Sequence, residues 1–555
     1  MNRRRWNGRR LPGAEPCLAV AIAVVVAWLS LLPLARLGAA ALHPASLSAV
    51  FQSAAVFRAL LRSGLTSLGG AAVALVLGTL YATATTLTDA GARRLLSAAA
   101  LQPLLIPGQI IALAWMQMPV WFRGSESAIY TGWGIAALLG LEHIPIVFLA
   151  ARAAMAGIPA DLIEAARADG ARAPRVLFRI ALPLATPGLI AGFGLAVVAC
   201  LGSFGIPAMI GIPARYPTLA VLIYQRLTGF GATMLPEAAA MALCLAVISI
   251  GAALAVAWAG RRVDARTIGA ASGGTHRIEL GRWRIPVTVA LLGLSVVTMV
   301  LPLASLIATS LSRAYGVPLH PATATLAHYV TVLRTAQTQR AFTTSAWLSA
   351  GAAAIIIALA LPAAVLGSWS DRAWLRRLIR LIDPLIDSPY ALPGIVLAIG
   401  MILLYLRPLP LLHVSLYGTP WIMLLAYVPR FLPLGLRPVQ AALARIDPVM
   451  DEAARAQGAR FLHRMAGITI PLLGPAAVGA GILVLLTAFG ELTVSALLWS
   501  PGHETIGVLI FSLNEGGNIA EAAAVSVLCL ALVFMLAGLT VLLPATARRV
   551  LPWSA

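Results

Sequence analysis

The sequence predicts an all-α integral membrane protein with twelve transmembrane helices, arranged as two tandem halves of six. Three observations support this prediction: 60% of the 555 residues are hydrophobic, long apolar runs recur along the chain, and one polar nonapeptide occurs twice. About 20 apolar residues are enough to cross a bilayer as a helix. Helices are the default spanning element because lipid offers the backbone no hydrogen-bond partners, and the sequence lacks the short alternating strands typical of a membrane β-barrel.

The predicted spans follow the apolar runs, in which proline and glycine are tolerated as in other membrane helices. They lie near 17–37, 60–84, 97–118, 131–151, 188–210 and 237–259 in the first half, and near 285–309, 343–367, 386–406, 419–437, 476–499 and 521–545 in the second half. A polar, basic segment at 261–284 separates the two sets. The predicted domains are therefore a first half at 1–260, this cytoplasmic linker, and a second half at 285–555.

The charge distribution predicts the orientation in the membrane. The formal net charge is +20 at pH 7, and all 40 basic side chains are arginines because the sequence contains no lysine. With both termini inside, the predicted cytoplasmic segments hold 29 arginines, the outer segments and outer span ends hold 10, and Arg430 lies within a span. This asymmetry follows the positive-inside rule. We therefore expect cytoplasmic termini and membrane lipid as the surroundings, and no nucleic-acid partner.

A polar nonapeptide is repeated at an interval of 288 residues. EAARADGAR occupies residues 164–172 and EAARAQGAR occupies 452–460, with eight of nine letters identical. The same offset relates residues 133–202 to 421–490 without a gap. Because each half has an even number of spans, both copies lie on the same side of the membrane. We expect parallel halves related by a pseudo-twofold axis along the membrane normal, unlike an inverted repeat.

Each copy has the composition of a short cytoplasmic helix with a defined start and end. In the second copy, Asp447 can cap the helix and Pro448 suits its first position. Asp451 and Glu452 favour the positive end of the helix dipole, and Gly458 can adopt the left-handed conformation that ends a helix. The alanines after each glutamate leave a surface that can slot into a groove on a partner. Packing on the protein's own bundle explains neither the repetition nor its fixed spacing to a downstream proline.

The pattern E-A-A, three residues, G, nine residues, I-x-L-P resembles the signature of binding-protein-dependent ABC import permeases. The first copy matches at Glu164, Ala165, Ala166, Gly170, Ile180, Leu182 and Pro183, and the second at Glu452, Ala453, Ala454, Gly458, Ile468 and Pro471, with Ile470 in place of the leucine. In that family the phrase forms a coupling helix that docks on a cytoplasmic ATPase. The resemblance implies the fold of a type I ABC importer permease in a bacterial inner membrane. It also implies two copies of an ABC ATPase and a periplasmic substrate-binding protein as partners.

No catalytic chemistry is predicted for this chain. A Walker A loop needs a lysine to reach the nucleotide phosphates, and the chain has none. We therefore expect ATP and magnesium to bind to the partner ATPase. The eight histidines show no metal-ligand spacing such as HExxH, so no catalytic residue, metal site or cofactor is expected here.

Three segments bear on the cargo: LIPGQIIAL (105–113), GSFGIPAMIGIPARYPTLAVLIY (202–224) and FGELTVSALLWSPGHETIGVLIF (489–511). They most resemble ferric iron importers. Thiamine permeases share this plan, as do some phosphonate and polyamine systems. The repeated outer segments 211–231 and 500–517 are the expected docking face for the binding protein, although packing on the bundle explains them about as well. We expect ferric iron as the cargo, with the other three classes as alternatives.

Three ionisable residues fall inside predicted spans: Glu142, Arg430 and Glu491. Charges there are costly and usually face a cavity or a partner, so these residues are candidates for the translocation path. Glu142 and Arg430 are 288 residues apart and hold equivalent places about halfway along their spans. They could pair across the interface between the halves, or each could be satisfied locally by helix ends or water.

An ion-coupled secondary transporter is the alternative from another functional class. Such a protein would use intramembrane carboxylates, for example Glu142 beside His143, as ion carriers, and it would need no ATPase. The duplicated cytoplasmic signature favours the ABC permease.

Overall fold

The computed structural model describes residues 14–42, 44–122, 128–229, 233–262, 277–408, 413–542 and 551. The basic start of the chain, most of the predicted linker and the last basic residues lie outside this described part. The described residues form helices, turns and two isolated β-bridges, Thr88 with Ile278 and Ser312 with Ala324.

Nine helices of the described chain are long and apolar enough to cross a membrane, judged by length and composition. They are Ala14–Ala41, Ala54–Leu87, Ala173–Gly202, Met234–Ala259, Gly281–Leu311, Ala336–Ser368, Pro420–Leu443, Phe461–Phe489 and Ile519–Leu539. Three bent pairs pass the same test: Arg93–Leu105 with Gly108–Met118 (105°), Gly132–Glu142 with Ile144–Ala156 (48°), and Ala373–Ala391 with Gly394–Tyr405 (108°). Counting each bent pair as one span gives up to twelve.

Shorter helices connect these long elements. They are Pro44–Gln52, Ala160–Ala168, Gly205–Gly211, Leu219–Leu227, Ala327–Arg334, Val449–Ala456, Ser495–Leu498 and Ile506–Glu515. Five-residue π-helical turns interrupt long helices at Ala27–Leu31, Thr83–Leu87, Leu177–Ala181, Val296–Val300 and Met465–Thr469. A main cluster of buried apolar side chains runs through both halves.

The fifth and eleventh spans differ from the prediction. The sequence placed them at 188–210 and 476–499, whereas the helices end at Gly202 and Phe489. The apolar run continues past each end because residues such as Ile206 and Met209 are buried within the protein. Hydropathy alone does not distinguish burial in protein from contact with lipid, so the runs read as longer spans.

The first long helix of each half packs against the other half. Trp28 in the first half donates from Nε1 to the hydroxyl of Tyr405 in the second half, at 2.9 Å. Thr298, in the first long helix of the second half, contacts the first half: its carbonyl accepts a hydrogen bond from Trp115 Nε1 at 3.2 Å. The two halves therefore exchange their first helices, in addition to being joined along the chain.

Each sharp bend also meets the opposite half. A Cβ on Gly490 would lie against Pro107 Cγ, well inside the 3.0 Å that real Cβ atoms keep, and a Cβ on Gly202 would lie 3.4 Å from Pro393 Cα. Gln109 Nε2 also donates to the Gly490 carbonyl at 2.8 Å. Because the two glycines are matched positions in the repeat, and so are the two prolines, the contacts are reciprocal.

Candidate functional site

The two copies of the repeated nonapeptide form short helices, as predicted. We call them the first EAA helix (Ala160–Ala168) and the second EAA helix (Val449–Ala456). In both, the glutamate and first alanine are exposed and the second alanine is half-buried; these residues are Glu164, Ala165, Ala166, Glu452, Ala453 and Ala454. The face carrying the glutamate and first alanine therefore points away from the bundle and is open to a partner.

A glycine in the left-handed conformation ends each EAA helix. Gly170 has a φ of +80° and Gly458 has a φ of +83°. After the first helix, the Gly170 amide donates to the Arg167 carbonyl and the Ala171 amide donates to the Ala166 carbonyl, both at 2.9 Å. This pattern is a Schellman motif, and the second helix repeats it. Since no heavy atom lies within 4 Å of a Cβ built on either glycine, the backbone conformation alone requires glycine there.

The chain after each glycine is repeated as well. A helical turn leads into π-helical turns at Leu177–Ala181 and Met465–Thr469, again 288 residues apart. Pro183 and Pro471 follow, each lacking the N–H that a regular helix would use. The repeated unit is thus a short helix, a glycine stop, a π-turn and a proline, and π-turns are frequent at functional sites.

The buried faces of the two EAA helices differ in chemistry. Ile163 is 2% exposed, and it packs the first EAA helix onto the bundle together with Val176, which is fully buried. The matched residues of the second half are Asp451, 2% exposed, and Arg464, 8% exposed. Arg464 donates from Nε to Asp451 Oδ1 at 2.9 Å. An ion pair therefore occupies the place of an apolar pair.

This ion pair belongs to a larger charge cluster. Arg464 also donates to Glu15 Oε1 at 3.2 Å, and Arg455 donates from Nε to Asp451 Oδ2 at 2.7 Å. Arg455 forms a further ion pair with Asp371. Burial lowers the pKa of the Arg455 guanidinium, but hydrogen bonds and charge from Asp371 and Asp451 outweigh burial and raise that pKa above its ordinary value. We call Glu15, Asp371, Asp451, Arg455 and Arg464 the second-half charge cluster.

The first EAA helix has a simpler polar attachment. Arg167, the match of Arg455, lies 3.2 Å from Glu279, and the two side chains are 32% and 71% exposed. Beside them, Asp89 Oδ1 accepts a hydrogen bond from the Leu280 amide at 2.9 Å. The residues just before the first helix of the second half therefore lie against the first EAA helix.

Glu142 lies at the break of a bent helix pair. Ser203 Oγ donates to Glu142 Oε2 at 3.2 Å, and His143 Nδ1 lies 3.7 Å from the same oxygen. A Cβ on Gly108 would overlap Glu142 Oε1, so the carboxylate sits against the first residue of helix Gly108–Phe122. Its negative charge therefore faces the positive end of that helix dipole.

Arg430 lies within helix Pro420–Leu443 and contacts the 108° bend of the second half. This bend is equivalent to the 105° bend beside Glu142, but Arg430 meets the end of the first helix and not the start of the second. Its guanidinium donates to the carbonyls of Pro389, Tyr390 and Leu392 at 3.2, 3.3 and 2.7 Å. These carbonyls close helix Ala373–Ala391, where a cation is favoured. No ion pair joins Glu142 to Arg430 among the residues that the structure describes. The structure thus has the local arrangement that the sequence left open, not a direct pair.

Glu491 lies outside a spanning helix, which corrects the sequence analysis. It follows the helix that ends at Phe489, and its carboxylate accepts hydrogen bonds from the Val494 amide at 2.7 Å and from the Ser495 amide at 3.1 Å. Its match in the first half is Ser203, the partner of Glu142. The carboxylate–hydroxyl pair of Glu142 and Ser203 in the first half thus corresponds to two charges that backbone groups hold separately in the second half, Arg430 and Glu491.

Three aromatic rings from the two halves meet beside these bends. The ring centroids of Phe204, Tyr224 and Phe511 are 5.2 to 6.0 Å apart. Tyr224 and Phe511 are matched positions in the repeat, at an offset of 287. Sequence analysis compared the two segments that end in these rings but did not single out the rings. The offset, applied residue by residue, was the signal that could have found them.

Three arginines surround a cavity of about 400 Å³ at the end of the first half that lies away from the first EAA helix. Arg58 and Arg62 lie near the start of helix Ala54–Ala82, and Arg215 faces them from the segment after Gly205–Gly211. The other end of that long helix leads to Asp89, beside the first EAA helix. Within the described chain, no carboxylate lies within 4.0 Å of these three guanidiniums. We call Arg58, Arg62 and Arg215 the arginine pocket.

Among the described residues, the corresponding place in the second half carries fewer arginines. Its corresponding helix, Ala336–Ser368, carries Arg340, whose Nε lies 4.0 Å from a carboxylate oxygen of the buried Glu504. Gly502 occupies the place of Arg215 in the repeat.

Comparison with known proteins gives two family matches within the chain. Residues 74–269 and 363–552 each match the model of the family described as binding-protein-dependent transport system inner membrane component. A probable ABC transporter permease protein of Sinorhizobium fredii is 29% identical over 384 residues, which cover 68% of this chain and 65% of that relative.

Two further relatives are named for a cargo. A putative 2-aminoethylphosphonate transport system permease protein of Salmonella paratyphi A is 30% identical over 246 residues, 44% of this chain and 88% of the relative. A Fe(3+)-transport system permease protein of Haemophilus influenzae is 24% identical over 182 residues, 33% of this chain and 34% of the relative.

Proposed function

Because this chain belongs to the binding-protein-dependent transport system inner membrane components, a family of ABC importer permeases, we propose that it moves a substrate from a periplasmic binding protein to the cytoplasm. Two copies of a separate ATPase drive the movement. The chain contributes the path and the docking surfaces, and it performs no hydrolysis. ATP and magnesium bind to the ATPase.

The observation that carries this proposal is the duplicated docking unit. Both EAA helices expose the glutamate and first alanine, end at a left-handed glycine and lead into a π-turn at the same offset. A helix face with little side-chain bulk fits a groove on a partner. We propose Glu164, Ala165, Ala166 and Gly170, with Glu452, Ala453, Ala454 and Gly458, as the two coupling sites.

We propose the following topology for the membrane. The nine long helices and the three bent pairs make twelve spans, with the termini and both EAA helices in the cytoplasm. The first half comprises 1–260, the linker 261–284 and the second half 285–555. The reciprocal packing of Gly202 on Pro393 and of Gly490 on Pro107 supports a pseudo-twofold axis between the halves.

The proposed translocation path follows this axis. Glu142, Arg430 and Glu491 all lie at the bends where the halves meet, and the rings of Phe204, Tyr224 and Phe511 close the same region. Because helix ends hold the charges of Glu142 and Arg430, both side chains can line a polar passage without the free-energy cost of exposing a charge to lipid.

The test of the proposed coupling sites is charge reversal of both glutamates. Glu164→Arg combined with Glu452→Arg places cations where each ATPase would dock, so uptake should be abolished while the protein stays in the membrane. Uptake and membrane abundance are measured together in intact cells. Asp169→Gln is the matched control, because it makes the first nonapeptide identical to the second. Normal uptake by the double variant at normal abundance would contradict the assignment.

The cargo is a separate proposal, since specificity in such importers resides largely in the binding protein. The sequence segments around the bends favour ferric iron, and the match to the Haemophilus protein named for Fe(3+) supports it. The Salmonella relative, with 30% identity over 88% of its length, favours 2-aminoethylphosphonate as a second candidate.

A deletion strain separates the two candidates. If ferric iron is the cargo, the strain should grow poorly when iron is scarce and normally on 2-aminoethylphosphonate as the phosphorus source. The reverse result would replace iron with the phosphonate. Addition of thiamine to the iron-limited culture tests the thiamine alternative, because rescue by thiamine would point to that vitamin.

A further inference from the structure

The two EAA helices are fixed to the bundle by opposite chemistry at matched positions. The first half uses Ile163 and Val176, and the second half uses Asp451 and Arg464. A buried ion pair is seldom more stabilising than an apolar pair of similar volume. Because the first half demonstrates that an apolar pair suits this place in the fold, packing alone gives no reason for charges in the second half.

The charges reach a residue that an apolar pair could not engage. Arg464 links Asp451 to Glu15, at 2.9 and 3.2 Å. Glu15 lies at the start of the first helix of the first half, which packs against the second half. The second EAA helix is thereby connected, through two side chains, to the opposite half of the molecule.

The first EAA helix has a corresponding but weaker connection. Arg167 lies 3.2 Å from Glu279, just before the first helix of the second half. Glu279 is 71% exposed and Arg167 is 32% exposed, and ion pairs that water reaches contribute little. Asp451 and Arg464, in contrast, are almost fully buried. Both EAA helices are thus connected to the first helix of the opposite half, but only the connection of the second EAA helix is buried.

We infer that Glu15 and Asp451 are positioning residues that hold the second EAA helix, through Arg464, to the first helix of the opposite half. The inference rests on the proposed function, because it assigns this connection to ATPase coupling. Movement of an ATPase docked on the second EAA helix is transmitted directly to the first half. The first EAA helix, packed by apolar side chains, transmits movement mainly within its own half.

The first experiment measures the connection without any ATPase. Amide hydrogen exchange of residues 449–464 is followed in the full-length permease in lipid nanodiscs. Asp451→Asn and Arg464→Gln should each raise exchange there by about tenfold or more, because each removes the link between Asp451 and Arg464 and leaves a buried charge with one partner fewer. Asp451→Ile with Arg464→Val, copied from the first half, should restore slow exchange. Unchanged exchange in both single variants would overturn the inference.

The second experiment separates positioning from space filling. Uptake of radiolabelled ferric iron and of radiolabelled 2-aminoethylphosphonate is measured in intact cells. The apolar double variant and Glu15→Gln should each lower uptake at least about fivefold, the lower end of ordinary coupling between sites. Glu15→Asp should retain part of the uptake, and Glu279→Gln should cost less than Glu15→Gln. Full uptake by the apolar double variant would reduce the cluster to a packing role.

Glu521→Gln serves as the control for loss of one carboxylate, since Glu521 has no ion pair among the described residues. A failure of the proposed function is distinguishable from a failure of this inference. If the glutamates of the EAA helices prove dispensable for uptake, the exchange experiment still reports whether the charge cluster holds residues 449–464.

Discussion

At the scale of single residues, the charges within the apolar part of the protein are placed at helix ends. The Glu142 carboxylate lies at the start of helix Gly108–Phe122, and Arg430 binds the last carbonyls of helix Ala373–Ala391. A helix carries about half a positive charge at its start and half a negative charge at its end. Glu142 lies at the start of the second helix of one bent pair, and Arg430 lies at the end of the first helix of the equivalent pair. Opposite charges at matched positions are therefore each favourable.

This arrangement predicts independent effects of the two charges. Glu142→Gln and Arg430→Gln should each lower thermal stability, and the double variant should lose the sum of the two free energies to within about 0.5 kcal/mol, as uncoupled sites do. The exchange of Glu142→Arg with Arg430→Glu should be worse than either single change, since each charge then faces the wrong helix end. Unfolding of the purified protein in nanodiscs provides the measurement. Recovery in the exchange variant would indicate a direct pair.

The sequence located these charged residues but not their partners. Hydropathy identifies Glu142, Arg430 and Glu491 because they interrupt apolar runs. Their partners are backbone amides and carbonyls at bends and the hydroxyl of Ser203. These groups are uncharged, so no pattern of charged residues in the sequence indicates them. The repeat could have indicated one of them, since Ser203 is the match of Glu491.

At the scale of helices, the repeat is carried by how elements end and meet. The sharp bends of 105° and 108° occur in the equivalent pair of each half. Each bend packs on the glycine that closes a long helix of the other half. The approach is much closer at Gly490, where Pro107 occupies the space of a Cβ, than at Gly202. The two contacts are at matched positions, but the one at Gly202 leaves room for a Cβ and the one at Gly490 does not.

The inequality gives a matched pair of variants. Gly490→Ala should destabilise the protein by about 1–3 kcal/mol, the usual cost of overpacking, because the proline ring cannot move aside as a flexible side chain would. Gly202→Ala should be nearly neutral, since its Cβ would make an ordinary contact at 3.4 Å. Thermal unfolding and folded yield of the two variants are compared side by side. Equal losses would mean that the close approach at Gly490 is not limiting.

Sequence analysis predicted the helical units more accurately than their geometry. All twelve apolar runs correspond to a long helix or to a bent pair, and the EAA helices with their glycine stops are confirmed. The sharp bends were not predicted. Pro107 and Pro393 lie at them, but proline is also common in straight membrane helices. The short helix Gly205–Gly211 is apolar because it is buried in the protein. Hydropathy does not distinguish such burial from contact with lipid, so the predicted fifth span was too long.

At the scale of the whole molecule, the halves share a scaffold and differ in charge. One end has the arginine pocket in the first half and the Arg340–Glu504 pair in the second half. The other end has an apolar pair in the first half and the second-half charge cluster in the second. Two identical subunits could not differ in this way. Fusion into one chain allows each half to meet a different partner surface.

The arginine pocket should therefore contribute to docking of the proposed binding protein over the first half. In the proposed topology the pocket opens on the periplasmic side, where three arginines without carboxylate partners in the described chain attract acidic side chains. Replacing Arg58, Arg62 and Arg215 together by glutamine should remove one ion pair with the binding protein per arginine, at roughly 0.5 kcal/mol each. Affinity of the nanodisc-embedded permease for its binding protein should fall about tenfold.

The loss should lie mainly in the association rate, and it should shrink as salt is added, because rim charges steer encounter. Arg340→Gln is the matched control. It should have a smaller effect, since Glu504 already compensates Arg340 within the second half. Surface plasmon resonance at low and high ionic strength measures both rates. An association rate that is unchanged at low salt in the triple variant would exclude the pocket as the docking site and leave the outer segments 211–231 and 500–517 to be tested individually.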